Sequence, residues 1–359
     1  MGVAGPEPWA VDGDVLLMPG LESRARPAHR RRRGDRAPLR IALVGAGSMG
    51  ANHARVIGQA PNASLEVVVD PDRDRAARLA EAYGGTPSGD LEAVRSCEAV
   101  VVAAPTDRHV EIGKLLLEEG LPLLIEKPIA TSSVDVEALC ALAEARQVPL
   151  MCGFVERFNA VVVTLAAGLD GELLHLMTLR HSPASPTAGS SVIWDLLIHD
   201  IDLVLRLSGG REPVEVTAQS LVPEGKAFSE LTDCTFRFAG GPIATLSASR
   251  MSQRKLRTMV VTTTEAVYDV DLLRQDVTVY RHIRAEYMMA DAPRFRTETV
   301  IDIPFVRHAG EPLALQLQHF IDLVEGRADP RAEIAGILPA HRTAERVAAG
   351  EPAPPGAAG

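Results

Sequence analysis

Three side chains of this chain have the types and spacing that proton-handling chemistry on an alcohol requires. Lys127 stands in Glu126-Lys127-Pro128, directly after the apolar run Leu121–Ile125. In an open parallel sheet, ligands bind outside the carboxyl ends of the strands. An amine placed there can stabilise a developing alkoxide and lower the pKa of a hydroxyl that is losing its proton. The plain alternative is a surface lysine at a strand end. Farther on, Ile193 to Leu203 reads I-W-D-L-L-I-H-D-I-D-L, an apolar helix with Asp195 and His199 at i and i+4 and Asp202 three residues beyond. That spacing stacks all three on one helical face. A histidine titrates near neutrality and can take a hydroxyl proton as a carbon-bound hydride leaves, while a carboxylate fixes its ring or holds a second hydroxyl. A histidine buried and satisfied by local carboxylates remains the competing explanation. A metal held by the same acid and histidine is weaker, because dehydrogenation that has a lysine and a histidine needs no Lewis acid, and no metal is expected.

A second set belongs to a cofactor. Gly45, Gly47 and Gly50 fall in G-x-G-x-x-G spacing where a strand meets a helix. The first glycine permits the tight turn, the second lets the backbone approach a pyrophosphate, and the third allows the helix to pack closely on the strand. The helix N-terminus then offers free N–H groups and the positive end of its dipole to the phosphates. The next strand, Leu65–Val69, ends in Asp70, about twenty residues beyond Gly50, where an acid grips the adenosine ribose hydroxyls. A carboxylate there repels the 2'-phosphate of NADP, so NAD is the expected cofactor and NADP the second choice. Arg73 and Arg75 lie close enough in sequence to receive a phosphate.

The elements that must carry these residues follow two grammars. From Leu39 to about Gly153, short apolar runs alternate with amphipathic segments, the sign of parallel strands joined by helices. The expected strands are Arg40–Val44, Leu65–Val69, Ala99–Ala103, Leu121–Ile125 and Pro149–Cys152, with helices at Gly50–Gln59, Arg73–Tyr83, Val110–Glu119 and Val134–Arg146. The strand runs are continuous because parallel strands are buried on both faces. After Phe154 period two dominates, at Val214–Ala218, Cys234–Phe238, Ala244–Ser249, Met259–Thr263, Val277–Tyr280 and Thr299–Ile303. Two helices, Val192–Leu207 and Pro312–Glu325, interrupt or close this part. The expected fold is α/β: a doubly wound Rossmann sheet followed by an α+β domain on an open, largely antiparallel sheet. The expected organisation is a disordered leader over 1–37, a dinucleotide-binding domain over 38–153, a substrate and oligomerisation domain over 154–345, and a tail over 346–359.

Bulk properties narrow the partners. A chain of 359 residues exceeds the size at which a single core usually splits, which suits two domains. The net charge of -10 gives no general attraction to nucleic acid or anionic lipid, and 4% aromatic residues argue against base-stacking platforms. The basic run His29 to Arg33 is the exception. Read as a twin-arginine export signal it lacks the apolar stretch that must follow, so a solvated leader is expected. Cys97, Cys140, Cys152 and Cys234 are scattered, without C-x-x-C pairing or a neighbouring histidine ligand set. With no run of about 18 apolar residues, the expectation is a cytoplasmic protein with reduced thiols, no membrane partner and no nucleic acid. The open face of the second sheet makes a homo-oligomer plausible.

Taken together, GAGSMG at Gly45–Gly50, VVVDPD at Val67–Asp72, AAPTDRH at Ala103–His109, EKP at Glu126–Pro128, GFVERFN at Gly153–Asn159 and WDLLIHDID at Trp194–Asp202 resemble the Gfo/Idh/MocA family. This is the family of glucose-fructose oxidoreductase and inositol dehydrogenase, and the resemblance covers roughly 39–345. It implies a Rossmann domain and an open-sheet domain that commonly builds dimers or tetramers. It also implies hydride transfer between a nicotinamide cofactor and a secondary hydroxyl or ketone of a sugar, amino sugar, nucleotide sugar or cyclitol. Lys127 corresponds to the catalytic lysine, and Asp195 and His199 to the acid and the acid/base histidine of the second domain. Ser48, Met49, Pro105, Thr106, His109, Glu126 and Lys127 itself join the glycines and Asp70 on the cofactor side. The GFVERFN and IHDID wording is nearest to members that act on ring carbon 3 of nucleotide-linked or amino sugars, which implies substrate contacts at Arg157 and Asn159. Ala160 replaces the usual proline, and Arg180–Ser191 lacks the second arginine that nucleotide-sugar relatives often place there. Two other activities use the same fold: a glycosidase with transient oxidation of carbon 3 on NAD, and a non-catalytic NAD-binding regulator.

Overall fold

The computed structural model describes residues 37–184, 189–289 and 292–351. The basic run of the leader and the tail from 352 onward lie outside the described residues.

The first layer is a six-stranded parallel sheet. In chain order it is built from β1 (Leu39–Val44), α1 (Ser48–Gln59), β2 (Ala63–Val69), α2 (Arg73–Tyr83), β3 (Thr86–Ser88), β4 (Ala99–Val102), α3 (Thr106–Glu118), β5 (Leu123–Ile125), α4 (Ser133–Arg146) and β6 (Leu150–Cys152). The strand order is β3-β2-β1-β4-β5-β6, so the order reverses between β1 and β4, and a crevice opens there at the carboxyl ends. In register, Val44 pairs with Val69 and Val102, and Ile125 with Val102 and Cys152. Gly45, Asp70, Ala103, Glu126 and Gly153 therefore follow their strands along one edge. The expected strands all form, shortened or lengthened by one or two residues.

The second layer is an eight-stranded sheet in the order β14-β13-β12-β11-β7-β10-β9-β8. Its elements are α5 (Ala160–Gly168), β7 (Leu173–His181), α6 (Ile198–Leu207), β8 (Glu215–Leu221), β9 (Leu231–Arg237), β10 (Ile243–Ser249), β11 (Leu256–Thr263), β12 (Val267–Asp271), β13 (Asp276–Met289) and β14 (Ala292–Asp302). The β7–β10 pair runs parallel and the other pairs antiparallel. The fold is thus the expected combination of a Rossmann sheet and an open, mostly antiparallel one.

Three departures bear on the site. Strand β7 was not expected, because its polarity is inverted: Thr178 and Arg180 are buried on the inner face while Leu174 and Met177 are exposed on the outer. The continuous helix expected over Val192–Leu207 begins instead as a π-helix over Ile193–Leu197, where Ile198 N–H donates to Ile193 C=O. Such wide turns cluster at functional sites, and this one offsets Asp195 from a strict i, i+4 stack. Finally, α7 (Pro312–Val324), α8 (Pro330–Ala335) and α9 (Leu338–Ala348) return to the first layer. Leu313, Leu317 and Phe320 of α7 share a core with Ile41, Leu43, Val68 and Leu124. On α9, His341 Nε2 accepts from Ile129 N–H at 3.1 Å. The two layers are thereby stapled together behind the crevice.

Candidate active site

The glycine turn is shaped as its spacing requires. Gly45 has φ +101°, and a Cβ on it would lie 2.5 Å from the Ala103 carbonyl oxygen, so the turn and the neighbouring strand leave room for glycine alone. A Cβ on Gly50 would run into the Gly45 carbonyl, which is the close helix-on-strand packing. Gly47 is different: nothing lies within 4 Å of where its Cβ would be. That open space faces the start of α1, which has no side-chain cap and no acid in its first turn. Free N–H groups beside open space fit a dinucleotide pyrophosphate. Ser48 and Met49 are exposed in that first turn, and Pro105 and Thr106 begin α3 across the crevice.

Asp70 holds the turn as well as the place of the ribose acid. Its Oδ2 accepts from Ala46 N–H at 2.7 Å and its Oδ1 from Asp72 N–H at 2.9 Å. A carboxylate offers about four acceptor positions, so two remain for ribose hydroxyls. Arg75 is engaged with Asp72 at 2.8 Å.

The residues after β4 and β5 divide into two groups. His109 is buried between two carbonyls, with Nδ1 2.9 Å from Pro128 O and Nε2 2.8 Å from Ala104 O. It ties the start of α3 to the loop after β5, so its ring works as a clamp where direct cofactor contact was expected. Glu126 is buried too, with Oε1 2.7 Å from His53 Nε2 and Oε2 accepting from Lys127 N–H at 3.2 Å. A Cβ on Gly153 would stand 2.9 Å from that carboxylate. Glu126 therefore sits under the crevice and fixes the backbone that carries Lys127.

Lys127 and the second layer meet at Asp195. Lys127 Nζ donates to Asp195 C=O at 2.5 Å and lies 3.6 Å from Asp195 Oδ1. Burial pulls the amine below its ordinary pKa, against the opposing pull of Asp195 and Glu126. The other carboxylate oxygen, Oδ2, accepts from Arg250 Nη1 at 3.2 Å. Arg250, just past β10, is itself held by Glu230 and by the carbonyls of Ser190 and Ser229. On the next helical turn, His199 Nδ1 is buried and has no hydrogen-bond partner among the described residues. Burial first, then the charges of Lys127, Arg180 and Arg257, drive its pKa well below the usual value. The imidazole is neutral, with Nδ1 turned into the protein and the residue as a whole only half-buried.

Three expected positions have other work. Asp202 does not share the site with Asp195 and His199: it accepts from Arg157 Nε and Nη2 at 2.9 and 2.7 Å. Arg157, expected to touch substrate, also donates to Glu333 at 2.9 Å and to Gly336 C=O at 2.8 Å, and only 3% of it is exposed. Asn159, expected beside it, caps α5 through Val161 N–H and donates to Glu156 and to Leu272 C=O. Both hold the framework beneath the site. Conversely, His53, Arg180, Glu156, Arg250 and Arg257 gather around it and were not singled out from sequence.

Residues 39–154 match the model of an oxidoreductase family with an NAD-binding Rossmann fold, and 165–269 match the Gfo/Idh/MocA C-terminal domain. This chain belongs to the Gfo/Idh/MocA family. It is an oxidoreductase with an NAD-binding domain, as the open glycine turn requires. Its family relatives include UDP-N-acetylglucosamine 3-dehydrogenase of Acidithiobacillus ferrooxidans, 27% identical over 80% of this chain and 88% of that protein. The solved structure of that enzyme superposes with a TM-score of 0.73 at 25% identity, covering 88% of this chain and 99% of the other. Myo-inositol dehydrogenase Hyg17 of Streptomyces leeuwenhoekii is 36% identical over 54% of this chain and 62% of its own length. A levoglucosan dehydrogenase solved with NADH and levoglucosan shares the fold, with a TM-score of 0.71 at 21% identity over 87% of this chain and 97% of that one. Among the described residues, no helix is long and apolar enough to cross a membrane.

Proposed function

We propose that this protein transfers a hydride between NAD and a secondary hydroxyl or ketone of a sugar or cyclitol, with Lys127, Asp195 and His199 as the reacting set. The observation that carries the assignment is the meeting of Lys127 Nζ with the Asp195 carbonyl at 2.5 Å, which joins the cofactor crevice to the helix bearing His199. NAD, when bound, supplies the hydride acceptor or donor. The chain supplies the rest. Lys127 donates to the carbinol oxygen and stabilises negative charge as it develops there. Neutral His199, half-buried on the helix that Lys127 meets, accepts the hydroxyl proton on its ring, or returns it in the reverse direction. Arg250 and Lys127 hold Asp195 so that its carboxylate can orient a second hydroxyl. Arg157 and Asn159 fix the loop and helix behind these groups.

Asp70 favours NAD over NADP, and the engagement of Arg75 with Asp72 takes away one receiver for a 2'-phosphate. The outer face of the second sheet exposes Leu174, Met177, Ile243 and Ile301, and a dimer or tetramer through that face would cover them. Four free, buried cysteines suit a reducing, cytoplasmic compartment.

The test is a panel of cyclitols, free sugars, amino sugars and nucleotide sugars with NAD or NADP, followed by absorbance of the reduced cofactor. Accumulation of NADH with at least one member is expected. Cleavage of a glycoside with no NADH would instead assign transient oxidation, and cofactor binding with neither outcome would assign a regulator.

A further inference from the structure

The inner edge of the second sheet carries a row of cations, of which the hydride-transfer scheme uses only Arg250. Arg180 on β7 lies between Ala248 on β10 and Arg257 on β11. The ladder continues one step outward, since Ser182 N–H donates to Ser249 C=O and Ser252 N–H to Ser182 C=O. At that step Arg250 has just left β10 and Lys255 is about to enter β11. Residues 255, 257, 259 and 261 alternate with the outer face, and buried Met259 and Val261 show that this is the side packed against α6.

Two members of the row are internally satisfied. Arg180 makes a fork to Asp200 at 2.7–3.0 Å and a further bond to Glu156 at 2.9 Å. Arg250 is held by Glu230, Asp195 and two carbonyls. Arg257 and Lys255 are not. Arg257 has one long bond, 3.3 Å, to the Glu156 oxygen that already accepts from Arg180, and 32% of its side chain is exposed. Lys255 is exposed and among the described residues has no hydrogen-bond or ion-pair partner. The two cations disfavour each other: Arg257 is the largest cause of the downward shift at Lys255, and burial followed by Arg180 lowers Arg257. They are also near the reacting groups, because Arg257 stands opposite Arg180, whose fork ends on Asp200, the residue next to His199.

Resting on the oxidoreductase assignment above, the geometry points to a subsite in which Arg257 and Lys255 bind an anionic substituent, a carboxylate or a phosphate, on the sugar whose hydroxyl meets Lys127 and His199. An oxyanion between them would relieve their mutual repulsion and accept charge-assisted hydrogen bonds from both. A neutral cyclitol would leave Lys255 without a counter-charge and Arg257 with only its long, shared contact to Glu156. The subsite thus separates substrates of the nucleotide-sugar or acid-sugar type from neutral polyols, a distinction the reacting set alone does not make.

The test uses the full chain loaded with NADH for binding and with NAD for turnover. Glucuronate, glucose 6-phosphate and UDP-N-acetylglucosamine are compared with glucose and myo-inositol, so that carboxylate, phosphate monoester and diphosphate are read separately. At least one acidic probe is expected to bind ten-fold or more tighter than the neutral ones, with a preference that weakens as salt is added. Lys255→Ala, at an exposed position, and Arg257→Gln should each reduce the acidic-to-neutral ratio about ten-fold. Equal binding of acidic and neutral probes, or a ratio unchanged in both variants, overturns the subsite. Acid preference without oxidation of any probe keeps the subsite and removes the dehydrogenase assignment, whereas oxidation of neutral sugars without acid preference does the reverse.

Discussion

Lys127 Nζ is bonded to the main chain of Asp195, at 2.5 Å from its carbonyl oxygen, so the amine of the first layer is aimed by the backbone of the second. A side chain held this way costs no reorganisation when charge develops beside it, which is the condition for electrostatic catalysis. Lys127→Ala should therefore lower turnover by about 100-fold or more, while the affinity for NADH, set by the glycine turn and Asp70, stays as it was. The measurement is kcat with the best sugar found, beside a cofactor titration. Equal turnover in the variant would remove the lysine from the chemistry.

The glycines separate fold from binding. Gly50 has the Gly45 carbonyl where its Cβ would stand, and Gly47 has open space. Gly50→Ala should cost about 3 kcal/mol of stability through forced overpacking. Gly47→Ala should leave urea unfolding of the free protein unchanged and weaken NADH binding about ten-fold, since the added methyl occupies the approach of the pyrophosphate. If Gly47→Ala binds NADH normally, the phosphates do not pass over that residue.

Legibility in the sequence followed burial geometry. The central strands of the first sheet are apolar on both faces, so Ile41–Val44 and Ala99–Val102 read as unbroken runs, whereas β3 is Thr-Pro-Ser at an edge and leaves no apolar signature. Strand β7 was hidden because a buried Arg180 and an exposed Met177 reverse the usual polarity of its faces. Lys127, Asp195 and His199 were legible as candidates because their motifs are local. His53 and Arg250 could not, for their partners Glu126 and Asp195 lie 73 and 55 residues away and are brought near only by the fold. Arg157 and Asn159, expected at the substrate, stand among buried partners for a related reason: a polar residue in a motif looks the same whether it faces a ligand or a buried carboxylate.

Arg157 offers a direct check of that correction. It is buried against Asp202 and Glu333, and its guanidinium stands 4.7 Å from the centroid of the Phe154 ring. Removing one partner of a buried ion pair leaves uncompensated charge and costs about 3–5 kcal/mol. Arg157→Ala should lower the unfolding free energy measured in urea by that amount, and Arg157→Lys should recover only part of it, since an ammonium cannot reproduce the fork to Asp202. A substrate contact would behave oppositely, with KM raised and stability intact.

His341 makes the staple between the layers sensitive to acid. Its Nδ1–H donates to Ile337 C=O at 2.9 Å, and its Nε2 accepts from Ile129 N–H at 3.1 Å. Only the neutral ring can do both, because a proton on Nε2 would face the N–H of Ile129. Burial, opposed by the Ile337 bond, lowers its pKa from 6.5 to about 4. The unfolded chain takes up a proton near 6.5 and the native protein resists until about 4, so this contribution is whole above pH 6.5 and declines as pH falls through that window. At 1.36 kcal/mol per unit the loss is on the order of 3 kcal/mol. His199, depressed in the same direction, adds to the decline. In His341→Gln, which is neutral at every pH, unfolding free energy should fall less steeply between pH 6.5 and 4 than in the parent, with carboxylates and His199 common to both. Parallel curves for the two proteins would mean that His341 is already protonated in the native state and that Ile129 N–H has another acceptor.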